Sequence, residues 1–368
     1  MRSTYAEINL KYLADNYLNI REKTKNIKIM PVVKANAYGH GVEEIVSTLN
    51  SLPNKPDYYA VALVDEGIEL RKYKVEQPIL IFESADEEQI SSVVEYNLIP
   101  TVYTENHLKL LKDNVKKDKI KIHIKINTGM NRLGINYKNA FEFVNKISED
   151  KFFIIDGIYT HFATSGEKDK TFANLQLKRF KDLLTELRTN NINCGLIHAA
   201  NSGAILDIPE SYFDMVRPGI SLYGYYPSVE TSESISLKPV MSIITKVDSV
   251  NRIDGGETVS YGRKFRAEKT SNIISVSMGY ADGYNRNLTN KSKAIINGKF
   301  YDQAGTVTMD RIMFNVKDDN IKIGDEVILL GEKKNLKFNA WDWAKILNTI
   351  PYEITCGINQ RVRRLYIN

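Results

Sequence analysis

The chain has 368 residues, of which 43% are hydrophobic and 26% charged, and its formal net charge is +5. This composition is typical of a soluble globular protein, and the length predicts two domains or one large barrel with an appendage. Interleaved acidic residues argue against a nucleic-acid-binding surface, and the absence of a signal-peptide pattern, of long apolar runs and of paired cysteines predicts a cytoplasmic protein without metal or disulfide sites.

Short β-rich runs alternate with segments of helical period between residue 27 and about residue 224. The predicted strands are IKIMPVVKA (27–35), YYAVAL (58–63), ILIFES (79–84), IPTVY (99–103), IKIHIKINTG (120–129), IIDGIYTHFA (154–163), NCGLIHAANS (193–202) and MVRPGISLYG (215–224). Helical period lies between them at 87–97, 137–148 and 171–190. A doubly wound sheet can be built from such units, but eight is the number that closes a TIM-like (β/α)₈ barrel.

The pattern changes after Pro239, where short strand-like runs separated by Gly, Asp and Asn replace the alternation. Helical period returns only near 339–348, and a linker-like segment, YPSVETSESISLK, occupies 226–238. The sequence therefore predicts an α/β protein with a barrel domain over residues 1–237 and a mostly β domain over residues 238–368.

Polar residues stand at the ends of several predicted barrel strands. Lys34 ends the first strand, His161 the sixth and Asn201 the seventh, while Arg217 lies in the eighth. Because barrel enzymes carry their chemistry at the carboxyl ends of the strands, we expect these side chains to converge. A lysine at an apolar mouth is partly desolvated, which favours the neutral, nucleophilic amine.

The seventh and eighth strands also end in groups that suit a phosphate. Ser202 offers a hydroxyl, and the Gly219-Ile220 pair offers backbone N–H groups, at the usual phosphate position of this fold. A nucleophilic lysine beside a phosphate site predicts a covalent pyridoxal phosphate site at Lys34.

Nine motifs, in order and at similar spacing, make the chain similar to the bacterial alanine racemases. They are VVKANAYGHG, KINTGMNRLG, THFATS, AANSGA, MVRPGISLYG, VSYG, GYADGY, TMD and IPYEITCGINQRV. The resemblance implies interconversion of L-alanine and D-alanine with pyridoxal 5′-phosphate, which supplies D-alanine for peptidoglycan. It also implies a head-to-tail homodimer with shared active sites, a small amino-acid substrate, and no nucleic-acid or membrane partner.

The resemblance implies two catalytic bases. Lys34 resembles the lysine that holds the cofactor covalently and serves as one base, and Tyr261 resembles the base on the opposite face, with His161 as its partner. A racemase needs a base on each face of the α-carbon, since a single base tends to return the proton to the side it left.

The cofactor-binding residues also follow from the resemblance. Arg217 resembles the arginine facing the pyridine nitrogen, where a permanent cation keeps that nitrogen unprotonated and disfavours transamination. The other positions that match the family's cofactor set are Tyr38, His161, Asn201, Ser202, Gly219, Ile220 and Tyr352.

The resemblance assigns the substrate carboxylate to Arg132 and to the backbone N–H of Met309, with Tyr280 as a further substrate contact. Lys125 matches a lysine that is often carbamylated in the family. Two positions depart from the family pattern: Asn127 stands where an aspartate is expected, and Thr308 where a cysteine is common. His40 and His198 are interpreted as structural residues.

Three alternatives compete with an alanine racemase. A serine racemase would use the same chemistry, although the bulk of Tyr352 disfavours larger side chains. A barrel-fold decarboxylase would profit from a carboxylate where Arg217 stands. A non-catalytic pyridoxal phosphate carrier would lack the domain after Pro239, which holds Tyr261 and Met309.

Overall fold

The computed structural model describes residues 3–25, 27–116 and 119–368, which fall into two compact units. The barrel unit comprises Leu13–Ala37 and Val42–Lys238, and the β unit comprises the described residues up to Tyr12 together with Tyr38–Gly41 and Pro239–Asn368. The chain begins with strand β1 (Tyr5–Asn9) and helix α1 (Leu10–Thr24).

Eight parallel strands build the barrel unit. They are β2 (Lys28–Ile29), β3 (Tyr59–Val61), β4 (Ile79–Ile81), β5 (Ile99–Val102), β6 (Ile120–Asn127), β8 (Phe153–Tyr159), β9 (Leu196–His198) and β10 (Met215–Val216), with the short β7 (Ile135–Asn136) beside β6. The strands are hydrogen-bonded in the order β2-β10-β9-β8-β6-β5-β4-β3, and a parallel bridge between Val32 and Ala60 joins the two ends of this series. The predicted eight-stranded parallel barrel is therefore confirmed.

Helical segments follow the barrel strands. They are α2 (Lys34–Tyr38), which is a single left-handed turn, and the helices α3 (Val42–Ser51), α4 (Val64–Lys72), α5 (Ile90–Glu95), α6 (Glu105–Asn114), α7 (Ala140–Glu149), α8 (Thr171–Thr189) and α9 (Ser202–Asp207). In α7, the buried residues Ala140, Phe143, Val144 and Ile147 repeat at helical spacing, so one face of the helix packs inward. None of the helices in the described part of the chain is long and apolar enough to cross a membrane.

The β unit is built around a mixed sheet in the order β16-β15-β18-β11-β1-β20. Its elements after β1 are β11 (Met241–Ile253), β12 (Thr258–Val259), β13 (Phe265–Arg266), β14 (Ser271–Val276), β15 (Lys293–Ile296), β16 (Lys299–Asp302), β17 (Ile312–Lys317), β18 (Glu326–Lys333), β19 (Leu336–Phe338), α10 (Ala340–Leu347), α11 (Pro351–Cys356) and β20 (Arg363–Ile367). The predicted β-rich character of this region is confirmed, including the helix near 339–348.

The amino-terminal strand β1 lies in a different unit from the one predicted, because the predicted domain division placed it in the barrel. Strand β1 pairs antiparallel with β11 and parallel with β20, so it belongs to the β unit. Ala6 and Ile8 point into the core of that unit and are fully buried. Because its partner strands lie more than two hundred residues further along the chain, no local pattern could assign β1 to either domain.

Candidate active site

Lys34 stands where the first barrel strand turns sharply out of the barrel. The next three residues, Ala35–Ala37, have left-handed backbone angles, with φ of 52–53° and ψ of 50–52°. Left-handed geometry costs a non-glycine residue about 1–2 kcal/mol, so neighbouring contacts must stabilise the turn. The N–H of Val42 donates to Asn36 Oδ1 at 2.8 Å, and Lys34 itself is left half-buried.

The carboxylate of Glu66 secures the same turn from a neighbouring segment. Its Oε1 accepts the N–H of Ala35 at 2.6 Å, while its Oε2 accepts the N–H groups of Ala62 at 2.8 Å and Leu63 at 3.1 Å. Glu66 therefore ties the backbone beside Lys34 to the start of α4, a contact that no local sequence pattern predicts.

Arg217 is a fixed, buried cation. Its side chain is 2% exposed, and its Nη2 donates to the carbonyl groups of Thr160 at 2.8 Å and Ala199 at 2.9 Å. Its Nη1 donates to Nδ1 of His198 at 2.8 Å. Burial lowers the pKa of Arg217 to about 10, so the guanidinium stays charged at neutral pH.

His161 lies beside this cation and is held neutral. Its Nδ1 is 3.4 Å from Arg217 Nη2. Burial, followed by the charges of Arg217, Lys125, Arg132 and Lys34, lowers the pKa of His161 well below its usual value. All four of these cations are predicted site residues. Together with His161 they make five predicted site residues of the barrel unit that lie close enough to interact electrostatically.

Lys125 is a buried lysine of this group with a lowered pKa. The residue is 5% exposed, and burial, with smaller effects from Arg132, Arg217 and Lys34, lowers its pKa to about 8. Its Nζ lies 5.5 Å from the centre of the Tyr159 ring. A lysine with this pKa carries a substantial neutral fraction near pH 7, which is the form that reacts with carbon dioxide.

Asn127, where the family pattern has aspartate, organises the loop that leads to Arg132. Its Oδ1 accepts the N–H groups of Gly129 at 3.1 Å and Asn131 at 3.0 Å, and its Nδ2 donates to Asn131 Oδ1 at 3.0 Å. A carboxylate could not make the last contact, because it has no donor. The loop is therefore held by neutral amides, and the guanidinium-bearing Arg132 is exposed.

The predicted phosphate-binding residues of the barrel unit lie together around Ser202. Its Oγ accepts the N–H of Gly219 at 2.9 Å and that of Ser221 at 3.3 Å, which brings the buried Ile220 beside it. The N–H of Gly219 thus already has a protein acceptor, contrary to the expectation of a free donor. Asn201 caps α9, with its Oδ1 accepting the N–H of Ala204 at 3.1 Å.

Tyr261 lies in the β unit and points outward. Its side chain is 75% exposed and follows a tight turn in which Ser260 has a φ of 67°. The hydroxyl of Ser260 donates to the carbonyl of Thr306 at 2.7 Å, and Thr306 Oγ1 donates to the carbonyl of Tyr261 at 2.6 Å. These two contacts fix the backbone that presents the phenol.

Tyr280 and Met309 border the same segment of the β unit. The N–H of Tyr280 donates to the carbonyl of Thr308 at 3.0 Å, and the N–H of Ala281 to that of Met309 at 3.1 Å. The side chains of Tyr280 and Met309 are 42% and 52% exposed. Together with Tyr261 they form what we call the exposed triad, which is arranged along residues 306–309.

Tyr38 and Tyr352 meet in another part of the β unit, with ring centres 5.9 Å apart. Burial raises the pKa of Tyr352, so its phenol remains a neutral hydrogen-bond donor. The position of Tyr38 beside Tyr352 is the grouping expected of two residues that serve one phosphate.

A second neighbour of the site, besides Glu66, was not predicted from the sequence. His198, interpreted as structural, is a direct hydrogen-bond partner of Arg217. The available signal was its place in the run HAANS, three residues before Asn201, at the carboxyl end of a barrel strand.

Comparisons with known proteins match the whole chain. Residues 8–227 match the family model for the alanine racemase N-terminal domain, and residues 240–366 match that for the C-terminal domain. The chain is 41% identical to "Alanine racemase 1" of Clostridium acetobutylicum, covering 100% of this chain and 96% of the relative. It is 42% identical to the alanine racemase of Clostridium kluyveri, covering 100% and 94%.

Solved structures of racemases also share the fold of this chain. An alanine racemase from Clostridium difficile 630 superposes with a TM-score of 0.93 at 36% identity, covering 100% of this chain and 96% of that one. A histidine racemase from Leuconostoc mesenteroides superposes with a TM-score of 0.91 at 25% identity, covering 100% and 98%. The same fold is thus found in racemases named for different amino acids.

Proposed function

The chain belongs to the alanine racemase family, and we propose that it interconverts L-alanine and D-alanine with pyridoxal 5′-phosphate and so supplies D-alanine for peptidoglycan. The family uses this cofactor and acts on small amino acids. The observation that carries the proposal is the cationic neighbourhood of Lys34, Lys125, Arg132 and Arg217 at one end of the barrel strands. Such a site suits an anionic cofactor and a substrate carboxylate.

The residues fit the cofactor in charge, and the Ser202 hydroxyl, which accepts from Gly219 and Ser221, keeps its proton to donate to a phosphate. Lys34 would hold the cofactor covalently, and Arg217 would face its ring nitrogen. Its phosphate would be held by Ser202, Gly219 and Ile220 together with Tyr38 and Tyr352. His161, beside Arg217, and Asn201 would be further cofactor-binding residues. When bound, the cofactor delocalises the electron pair that remains after the α-proton leaves.

Arg217 favours racemisation over competing chemistry. Its guanidinium donates three of its five N–H groups to Thr160, Ala199 and His198 and remains charged, so toward a ring nitrogen it can act only as a hydrogen-bond donor. A ring nitrogen that accepts from a cation has little tendency to take up a proton of its own. This weakens the electron sink that a decarboxylase or transaminase requires, and favours rapid return of the proton to the α-carbon.

Two bases are proposed to exchange that proton. The Lys34 amine serves one face of the α-carbon, and the phenol oxygen of Tyr261 serves the other. Arg132, with its exposed guanidinium, and the backbone N–H of Met309 would hold the substrate carboxylate, with Tyr280 beside them. Carbamylation of Lys125 would place a negative charge next to Arg132 and orient it.

Substrate choice is tested most directly by product analysis. The holoenzyme is incubated with each L-amino acid in turn, and the products are separated by chiral chromatography. We expect D-alanine from L-alanine at the highest rate and D-serine more slowly. A faster conversion of another amino acid, or release of an amine and carbon dioxide, would contradict the proposal.

We further propose a head-to-tail homodimer in which Tyr261 of one chain serves the Lys34 of its partner. The exposed triad supports this proposal, because exposed aromatic and apolar side chains around a proposed base are typical of a surface covered by another chain. A two-fold arrangement would build two equivalent sites at one interface.

Mixing two inactive variants tests the shared site. If Lys34→Ala and Tyr261→Ala subunits exchange freely, about half the dimers are mixed and each has one intact site of two, so about a quarter of wild-type activity returns. Each variant alone is the control. No recovered activity, after mass spectrometry has shown mixed dimers, would rule out a site shared between chains.

A further inference from the structure

A line of hydrogen-bonded side chains runs through the interior of the barrel unit from Asp156 to Arg217. Oδ2 of Asp156 lies 3.4 Å from Nε2 of His123, whose Nδ1 lies 3.0 Å from Nε2 of His198. Nδ1 of His198 then accepts from Arg217 at 2.8 Å. Barrel interiors are normally filled with branched apolar side chains. Burying a line of polar side chains with a charge at each end costs free energy, and a functional role would explain why the line is present.

The line extends away from the proposed site toward the amino ends of the strands. Asp156 lies in the middle of β8, and its Oδ1 pairs with Lys121, the second residue of β6, at 2.9 Å. The hydroxyl of Tyr58, just before β3, donates to Asp156 Oδ2 at 3.0 Å. Arg217 follows β10 at the carboxyl end, so the line links opposite parts of the barrel.

Donor and acceptor chemistry allows only one arrangement of protons along this line. An ionised carboxylate only accepts, so Asp156 holds the proton of His123 on Nε2 and leaves Nδ1 of His123 with a lone pair. That lone pair accepts the Nε2–H of His198, whose Nδ1 is thereby left free to accept from Arg217, a group that can only donate. Burial lowers the pKa of both histidines, and although Asp156 acts to raise the pKa of His123, the net direction is downward for each, which keeps them neutral.

The backbone of β8 is built around this contact. Ile122 pairs with Ile155 but His123 pairs with Gly157, so Asp156 is the extra residue of a β-bulge. Bulges re-aim side chains, and this one turns the carboxylate toward His123. Gly157 provides the space, since a Cβ there would lie 2.6 Å from Cε1 of His123.

We propose that Asp156 and His123 are positioning residues for Arg217: the carboxylate fixes the tautomer of His123 and, through it, that of His198. In the opposite tautomer, His198 would point an N–H at the guanidinium, which would lose this partner and turn away. The proposal deepens the proposed function and rests on it, because the reaction depends on the orientation of Arg217 beside the cofactor.

The tautomers can be read directly by NMR of the holoenzyme labelled with ¹⁵N-histidine. The chain has five histidines, and the variants His123→Gln and His198→Gln assign the two signals. Asp156→Leu removes the acceptor, and Asp156→Asn, of nearly the same size, keeps an oxygen that can accept. We expect pure Nε2–H tautomers in the wild type and in Asp156→Asn, and loss of this single-tautomer signature in Asp156→Leu.

Gly157→Ala is an independent variant that keeps Asp156 but displaces the His123 ring, and the signature should be lost there too. Lys121→Met removes the partner of the other carboxylate oxygen and should leave both tautomers unchanged. If both histidines remain pure Nε2–H in folded Asp156→Leu and Gly157→Ala, Asp156 does not fix them and the proposal is wrong.

Kinetics separate positioning from a purely structural role. Asp156→Leu should lower kcat for alanine on the order of tenfold, as for other partners that orient a binding side chain. The KM should hardly change, and transamination should rise relative to racemisation. The NMR result does not depend on the substrate, so a protein that racemises no amino acid but shows the expected tautomers would refute the proposed function and leave the tautomer assignment standing.

Discussion

Replacing Gly279 by alanine should loosen the contact between the two segments that carry Tyr280 and Met309. Gly279 has a φ of −152°, an extended conformation that any residue adopts, so the backbone itself does not require glycine. Glycine is required by the lack of space for a side chain, because a Cβ at Gly279 would lie 2.2 Å from the carbonyl oxygen of Met309 and 2.4 Å from that of Thr308.

The size of the effect follows from the contacts that must give way. Real Cβ contacts are not shorter than 3.0 Å, so the segments must separate by at least 0.8 Å. The hydrogen bonds of the Tyr280 and Ala281 N–H groups, now 3.0 Å and 3.1 Å long, would then exceed bonding distance. At about 0.5–1.5 kcal/mol each, their loss costs roughly 1–3 kcal/mol.

Hydrogen exchange followed by mass spectrometry measures this loss locally. A cost of 1–3 kcal/mol corresponds to roughly 5- to 150-fold faster exchange in peptides containing residues 280–281. Gly166→Ala is the matched control, because its new Cβ would have no contact closer than 3.7 Å. Exchange at residues 280–281 as slow as in the wild type would refute the steric argument, and an unchanged KM for alanine despite faster exchange would contradict the substrate role of Tyr280 and Met309.

Three further predictions concern the barrel unit. Borohydride treatment of the protein with pyridoxal 5′-phosphate should attach the cofactor to the peptide containing Lys34, and adduct at any other lysine alone would contradict its role. Arg217→Glu should reduce racemisation and raise transamination, because a carboxylate lets the ring nitrogen keep a proton; an unchanged product ratio would show that Arg217 is misplaced. With its pKa near 8, Lys125 is roughly one-tenth neutral at pH 7, against less than about one-thousandth for an ordinary lysine. Addition of ¹³C-bicarbonate should therefore give a carbamate NMR signal that increases from pH 7 to pH 8 and is absent from Lys125→Arg.

Local sequence patterns were enough to predict the barrel. Apolar runs of strand length, separated by segments of helical period, gave all eight strands, and the structure confirms them in the order of the chain. The pattern can be recognised because each buried parallel strand is a run of apolar residues. The connection to the next strand contains a helix whose period is also visible in the sequence. The motifs also identified the family and the racemase class, both of which the comparisons confirm.

The roles of the site residues remain predictions, but their placement could be anticipated in part. Lys34, His161 and Arg217 were expected at strand ends because parallel strands bring their carboxyl ends to one edge of the barrel. The left-handed turn after Lys34 could not be anticipated, since Ala35–Ala37 include no glycine and are held there by a distant glutamate, Glu66.

Only the tertiary structure determined which distant residues become partners. Strand β1 joins strands that lie more than two hundred residues away, and His123 meets His198 across 75 residues of chain. The sequence IIDGIY predicts a strand, but whether Asp156 faces solvent or a buried histidine depends on a one-residue bulge. Successive side chains in a strand point to opposite faces, so one extra residue in the strand reverses which face each following side chain points to. The bulge, which the residue composition of the strand does not reveal, therefore brings the Asp156 carboxylate to His123 inside the barrel.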